Sequence, residues 1–327
     1  MKNRNVIVTG GCGFIGINLT LELLDRGANI TVLDLPSADW ARLPAGVKTI
    51  KADILDGQSL SNAFDDIEIV YHLAARTDLD GRSLSDYKAN FEGTENIINQ
   101  LKGSKTIKKL VLYSTQLVVG LFNETRFIDE TEPYRTNTVY GESKILAEKI
   151  TIRKCSEFGI PYVIIRPTSV YGPWGKSPYR EFFYAIKNRR YFHVGRANNL
   201  VSFAYVENLV DQTILLSLND SANNQLFFGN DFHPYTMREV ADAAACYYKV
   251  KIHTIPSPLV TVAAYAFGVL KLFGADVPIY PFRLKNIKAN YCYDIQNSVR
   301  LGYDPKFGLK EGIIKTLDWY EKNEGRA

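Results

Sequence analysis

Tyr140 and Lys144 stand four residues apart in the stretch Tyr140-Gly141-Glu142-Ser143-Lys144, a spacing that stacks two side chains on one face of a helix. A phenol and an ammonium so placed can point into one site. An unperturbed tyrosine titrates near ~10, but a neighbouring cation favours its phenolate and brings it toward neutral pH. The pair therefore suits proton transfer. Because such pairs also arise by chance on helix faces, the rest of the chain must supply the other parts of a site.

The elements that would position the pair begin with an apolar run at residues 5–9. It ends in Gly10-Gly11-Cys12-Gly13-Phe14-Ile15-Gly16, and helical periodicity follows over 18–25. Glycines at 10, 13 and 16 let backbone approach a pyrophosphate at the positive end of a helix. The next strand, 29–33, ends at Asp34, where a dinucleotide fold places the carboxylate that binds a ribose hydroxyl. Leu35 and Pro36 follow, with no arginine. A carboxylate repels a 2′-phosphate, so the reading is NAD over NADP.

Further strands are expected at 47–52, ending in Asp53-Ile54, and at 69–73, ending in Ala74-Ala75. Two more run from 109 to 114, leading into Thr115-Gln116, and from 162 to 166, stopped by Pro167. Helices are expected over 85–101 and from Tyr140 to about Phe158. His72 lies inside an apolar strand and reads as a structural histidine. Strands alternating with helices predict an α/β fold with a doubly wound, parallel Rossmann-type sheet, its ligand lying beyond the strands' carboxyl ends.

After Tyr171 the texture changes to Gly172-Pro173-Trp174-Gly175, a loop that leaves the sheet. Helices are expected near 179–188, 206–217, 236–248, 259–272 and 309–322, with short strands near 225–228 and 291–294. The organisation predicted is a nucleotide-binding domain over 1–175 and a smaller, mostly helical substrate-binding domain over 176–327. Residues 200–232 are expected to pack back onto the first.

Hydrophobic residues at 46% and charged residues at 23% describe a folded globular chain. The net charge of +4, without a long basic run, gives no footprint for nucleic acid. Cys12, Cys155, Cys246 and Cys292 match no zinc or disulfide spacing, which points to no metal and to a reducing cytoplasm. The apolar stretch 259–270 is shorter than the roughly 18 residues that span a bilayer. A soluble protein without a transmembrane segment is expected.

Taken in order, these stretches resemble the extended short-chain dehydrogenases/reductases of the NAD-dependent epimerase/dehydratase group along nearly the whole chain. The matching residues include the glycine loop, Asp34, Asp53-Ile54, the run to Ala75, and Asn90-Phe91-Glu92-Gly93-Thr94. Ser114-Thr115, the Tyr140 to Lys144 stretch, Arg166 to Pro173 and Phe203 to Leu209 complete the set. The resemblance implies that Tyr140 is the catalytic acid/base and that Lys144 binds the nicotinamide ribose and lowers the tyrosine's pKa. Thr115 then hydrogen-bonds the reacting oxygen. It further implies NAD contacts at Gly10, Gly13, Phe14, Ile15, Gly16, Asp34, Asp53, Ile54, Leu73, Ala74, Ala75, Tyr140, Lys144, Pro167 and Val170, and a homodimer.

Departures from the family pattern bear on the substrate. Sugar 4,6-dehydratases follow the threonine with Asp and Glu; Gln116 and Leu117 stand here, so that dehydration is not expected. Val201 and Ser202 occupy the region where many nucleotide-sugar epimerases carry a diphosphate-binding arginine. Arg180, Arg196, Arg283 and Gln116 are the candidate substrate contacts. The first expectation is a nucleotide-sugar epimerase or 4-ketoreductase. The C-terminal part is instead similar to the 3-beta-hydroxysteroid and sterol-carboxylate dehydrogenase branch, which makes an apolar hydroxy compound the alternative substrate. A non-catalytic NAD sensor is the alternative of another class. The 259–272 helix reads as a core helix under the substrate domain, with a greasy pocket wall or a membrane-surface helix as the alternatives.

Overall fold

The computed structural model describes residues 1–120, 126–272, 284 and 289–323. The strands of the first half are β1 (Asn5–Thr9), β2 (Asn29–Asp34), β3 (Lys48–Lys51), β4 (Ile69–His72), β5 (Lys109–Tyr113) and β6 (Tyr162–Pro167). Short strands follow: β7 (Ser169–Tyr171), β8 (Phe192–Val194), β9 (Leu200–Val201), β10 (Phe203–Tyr205) and β11 (Gln225–Gly229). The helices are α1 (Phe14–Asp25), α2 (Lys88–Gln100), α3 (Val139–Phe158), α4 (Tyr179–Lys187), α5 (Val206–Leu218), α6 (Met237–Tyr248) and α7 (Ser257–Leu272). A short helix, Gln296–Arg300, precedes a C-terminal one, Leu309–Lys322.

Seven strands form one parallel sheet in the order β11-β6-β5-β4-β1-β2-β3. Its central strands are apolar at successive positions because helices cover both faces. Val6, Val8, Tyr71, Val111 and Ile165 pack to one side with residues of α1 and α5. Ile7, Val70, Leu112 and Ile164 pack to the other with residues of α2 and α3. Thr9 pairs with Leu33 on one side and His72 on the other, so β1, β2 and β4 end level with one another. The strand order reverses between β1 and β4, which opens a crevice at that edge.

Within 200–232, β11 pairs with β6 from Gln225 opposite Val163 to Gly229 opposite Pro167, and α5 packs on the sheet, while β10 pairs with β7 outside it. A second apolar cluster gathers Phe183 of α4, Phe203 of β10, Val240 and Ala244 of α6, and Leu317 of the C-terminal helix. The strand expected at 291–294 does not form. Tyr291 bridges to Val201 and Tyr293 to Ile128, one residue each to different partners, so no ladder propagates.

The expected core helix at 259–272 also needs correction. Val260 and Ala264 face inward with Val194, Ile255 and Leu284. Leu259, Val262 and Tyr265, in contrast, are 63%, 70% and 64% exposed. Apolar residues all round would suit burial on all sides; here only a narrow stripe is covered. Among the described residues no helix is long and apolar enough to cross a membrane.

Candidate active site

The glycine turn between β1 and α1 is shaped by close approach. Gly10 adopts φ +71°, and a Cβ there would lie 2.7 Å from the backbone nitrogen of Ala74. A Cβ on Gly16 would run into the Gly10 carbonyl. Gly13 caps α1 without a side-chain hydrogen bond, and no acidic residue stands in the first turn. The helix's free N–H groups and positive end therefore face the crevice, a cradle for an anionic group.

Asp34 closes β2 beside this turn. Its two carboxylate oxygens each accept a backbone N–H, from Cys12 at 2.9 Å and from Leu35 at 2.8 Å, and each keeps a lone pair for a ligand. The crevice continues as a cavity of about 1010 Å³ that runs along the strand ends to Thr115, Tyr140 and Lys144. Gly10, Gly13, Phe14, Ile15, Gly16, Asp34, Asp53, Ile54, Leu73, Ala74, Ala75 and Pro167 all line it. Val170 does not; it sits in β7 opposite Ala204 and packs into the cluster beneath.

The far end of the cavity holds the reactive groups. α3 is capped by Thr138, whose side chain accepts from the Gly141 N–H at 3.0 Å, so the helix starts beside Tyr140. Tyr140 is 8% exposed and Lys144 3%. Thr115 opens a 3-10 turn and its hydroxyl oxygen accepts from the Leu117 N–H at 3.3 Å, leaving the hydroxyl proton for a partner in the site. That hydroxyl is close enough to the Tyr140 phenol to pull its pKa downward.

Burial pushes the Tyr140 phenol up to about 12, against the pull of Thr115 and with a smaller upward push from Tyr87. Burial likewise brings Lys144 down to about 8, opposed by Glu148. The lowering of the phenol by Lys144 expected from the sequence is not what dominates in this site. The ammonium is turned to the carbonyl oxygen of Tyr113, 2.5 Å away, and desolvation of the phenol outweighs it.

His72 behaves as the strand pattern predicts. Its ring nitrogens meet the hydroxyls of Thr9 at 2.7 Å and Thr94 at 2.9 Å, and burial pushes it down to about 3. It is a neutral structural residue.

The candidate substrate contacts scatter. Arg180 stacks over the Tyr184 ring in α4 at 5.4 Å, and Arg196 is exposed in the turn after β8; neither lines the cavity. Gln116 lies in the 3-10 turn with its Oε1 buried and without a partner, also outside the cavity lining. Arg283 lies outside the described residues. Ser202 is buried and its hydroxyl accepts from the Tyr293 N–H at 3.0 Å, so this position serves packing.

Sequence reasoning missed several residues at the site. Arg42, held by Asp39 at 2.9 Å and stacked over Trp174 at 5.6 Å, lines the cavity near Asp34, and Lys176 lines it on the same side as Phe14. Asn90 is fully buried in α2 and holds the backbone of Arg76 at both ends, accepting at 2.8 Å and donating at 3.0 Å. It also donates to Ser143 of α3 at 2.9 Å. Its place in the Asn90 to Thr94 stretch was the available signal.

A glycine turn at a helix N-terminus, a carboxylate at the end of the next strand and a buried Thr-Tyr-Lys set line one cavity, and the chain matches these relatives. The 3-beta-hydroxysteroid dehydrogenase of Mycolicibacterium neoaurum is 30% identical over 96% of this chain and 91% of its own length. The 3 beta-hydroxysteroid dehydrogenase/Delta 5-->4-isomerase of Mycobacterium tuberculosis is 30% identical over 98% of this chain and 93% of its own. Among solved structures, the UDP-glucose 4-epimerase of Thermus thermophilus in complex with NAD superposes with a TM-score of 0.75 at 24% identity, covering 99% of this chain and all of that one. The family model described as NAD dependent epimerase/dehydratase family matches residues 6–227. The chain belongs to the NAD-dependent epimerase/dehydratase family of oxidoreductases, with NAD as its cofactor.

Proposed function

We propose that this protein is an NAD-dependent dehydrogenase that oxidises a secondary alcohol on an apolar, hydroxysteroid-like compound, or reduces the corresponding ketone. The observation that carries the reading is the separation of two sets of residues. The proton-transfer set lines the cavity, while the described arginines expected to hold a sugar diphosphate stand outside it. The hydroxysteroid dehydrogenases that match nearly the whole chain point to the same substrate class.

In this reading Thr115 donates its hydroxyl proton to the reacting oxygen and fixes it against Tyr140. Tyr140 takes the alcohol proton in one direction and returns it in the other. Lys144 lies one helical turn further on and, with its positive charge, favours the phenolate once an oxygen ligand replaces part of the lost hydration. Bound NAD supplies the hydride acceptor. Asp34, with both oxygens fixed by backbone N–H groups, selects NAD over NADP by repelling a 2′-phosphate.

NAD-dependent oxidation of a 3β-hydroxysteroid, followed by NADH absorbance, tests the proposal; turnover of UDP-glucose with none of the steroid would overturn it. Equal or better use of NADP would sink the assigned role of Asp34. Arg196→Ala should leave the steroid KM unchanged, whereas a role in holding a diphosphate would show as a rise in the KM for UDP-glucose.

One observation favours the nucleotide-sugar reading instead. Lys176 is an exposed cation on the cavity lining and forms no ion pair among the described residues. An epimerase recaptures its own hydride, so NAD retained through purification and released only on denaturation would support this second reading.

A further inference from the structure

Tyr140, Lys144 and Glu148 follow one another at four-residue steps on α3, and their exposure falls from 8% through 3% to 0%. They form a column on one face of the helix. The Glu148 carboxylate at its foot is fully partnered. Oε1 accepts from the Ser114 hydroxyl and from Arg166 Nε at 3.0 Å. Oε2 accepts from Arg166 Nη2 at 2.8 Å and from the Tyr134 hydroxyl at 2.9 Å. Among the described residues four donors and no acceptor face it, the complement of an ionised carboxylate.

Stability alone is a weak reason for such an arrangement, because a buried ion pair is often replaceable by apolar residues without loss. Where the donors come from is more informative. Ser114 immediately precedes Thr115 at the end of β5, and Arg166 immediately precedes Pro167 and Thr168, which line the cavity. Tyr134 belongs to the segment that feeds α3.

We propose that Glu148 is a positioning residue of the active site: its carboxylate locks the helix of Tyr140 and Lys144 to both strand ends that flank it and sets a counter-charge one turn below Lys144. The proposal rests on the Tyr140–Lys144 reading and not on the identity of the substrate.

The groups that face Lys144 can be named. On its own helix they are Tyr140 and Glu148; from β4 comes His72, and from β5 the Tyr113 carbonyl. Arg166 of β6 lies beyond Glu148. His72 is neutral, so among the described residues Glu148 is the one anion near the ammonium, and its attraction opposes the desolvation that pulls Lys144 down. Removing the carboxylate also leaves Arg166 as a second, unpaired cation.

The test is the pH dependence of NAD affinity, read by quenching of intrinsic fluorescence; it needs no substrate, so it stands apart from the steroid assay. Wild-type affinity should weaken as pH rises through about 8, where Lys144 loses its proton. In Glu148→Gln that break should move down by about one pH unit, while Glu148→Asp, which keeps the charge, should hold it in place. Arg166→Gln leaves the carboxylate uncompensated, so there the break should move up. That opposite shift carries the test if Glu148→Gln fails to fold. Affinity reduced equally at every pH with an unmoved break would reduce Glu148 to a structural role and overturn the proposal, as would a wild-type profile without a break.

Discussion

The two halves of this molecule offer a ligand different kinds of surface. Beside β1 the cavity wall is largely backbone: the free N–H groups at the start of α1, the turn at Gly10 and the level ends of β1, β2 and β4. On the other side the expected contacts are long side chains, and Arg180 and Arg196 point elsewhere. Backbone geometry is encoded by short local patterns. Side-chain recognition depends on which distant segments meet, and that leaves no spacing rule in the chain.

Four substitutions break or sharpen this contrast. Tyr140→Phe removes the proton acceptor while leaving the backbone cradle intact. Turnover should fall on the order of 10²–10⁴-fold, with the NAD dissociation constant nearly unchanged. Loss of both together would mean that the two functions are not separable.

Gly10→Ala attacks the cradle itself. The new Cβ meets Ala74 backbone in a left-handed turn, so NAD binding should disappear and unfolding should become easier by about 1–3 kcal/mol. Calorimetric titration and denaturant unfolding read the two effects.

Asp231 probes the end of β11, where the sheet gives way to the second half. It is buried, its Oδ1 accepts from Tyr205 N and Asn208 Nδ2, and its Oδ2 has no partner. Burial raises it from 3.8 to about 7, against the pull of Asn208 and Tyr205. A folded-state value above the unfolded one favours the fold fully at acid pH, and that contribution is lost as pH rises from about 4 through 7. Wild-type protein should therefore lose roughly 2.5 kcal/mol between pH 5 and pH 8 from this group, and Asp231→Asn should flatten that slope.

The smallest effect is expected in α7. Val262→Lys should change stability by no more than about 0.5 kcal/mol, as at other exposed positions. A drop of about 2–5 kcal/mol in thermal unfolding would restore the core-helix reading.

The strands of the sheet were legible because burial on both faces makes them unbroken apolar runs. The residues lining the first part of the cavity were legible because glycine and Asp34 sit at fixed offsets from β1 and β2. Glu148 was not. An acidic residue inside a long helix with Glu142 and Glu157 reads as solvent-facing, and its partners Ser114, Tyr134 and Arg166 come from three separate segments. The dryness around Tyr140 was not legible for a related reason. Sequence spacing shows a cation nearby but not how dry the site is, and dryness decides the direction of the shift. In α7 an apolar sequence suggested the core, although the fold packs only Val260 and Ala264 of its first turns against the rest.

The return of β11 to the sheet also limits how the chain can be divided. Its five pairs with β6 cover what is otherwise an open parallel edge from Val163 to Pro167. A fragment cut after residue 175 would expose that apolar edge and invite pairing between copies. The halves are therefore interleaved in the gene product rather than strung end to end. An exchange of the second half with a relative must carry residues 176–202 and those after 230 together, while leaving α5 and β11 with the sheet they complete.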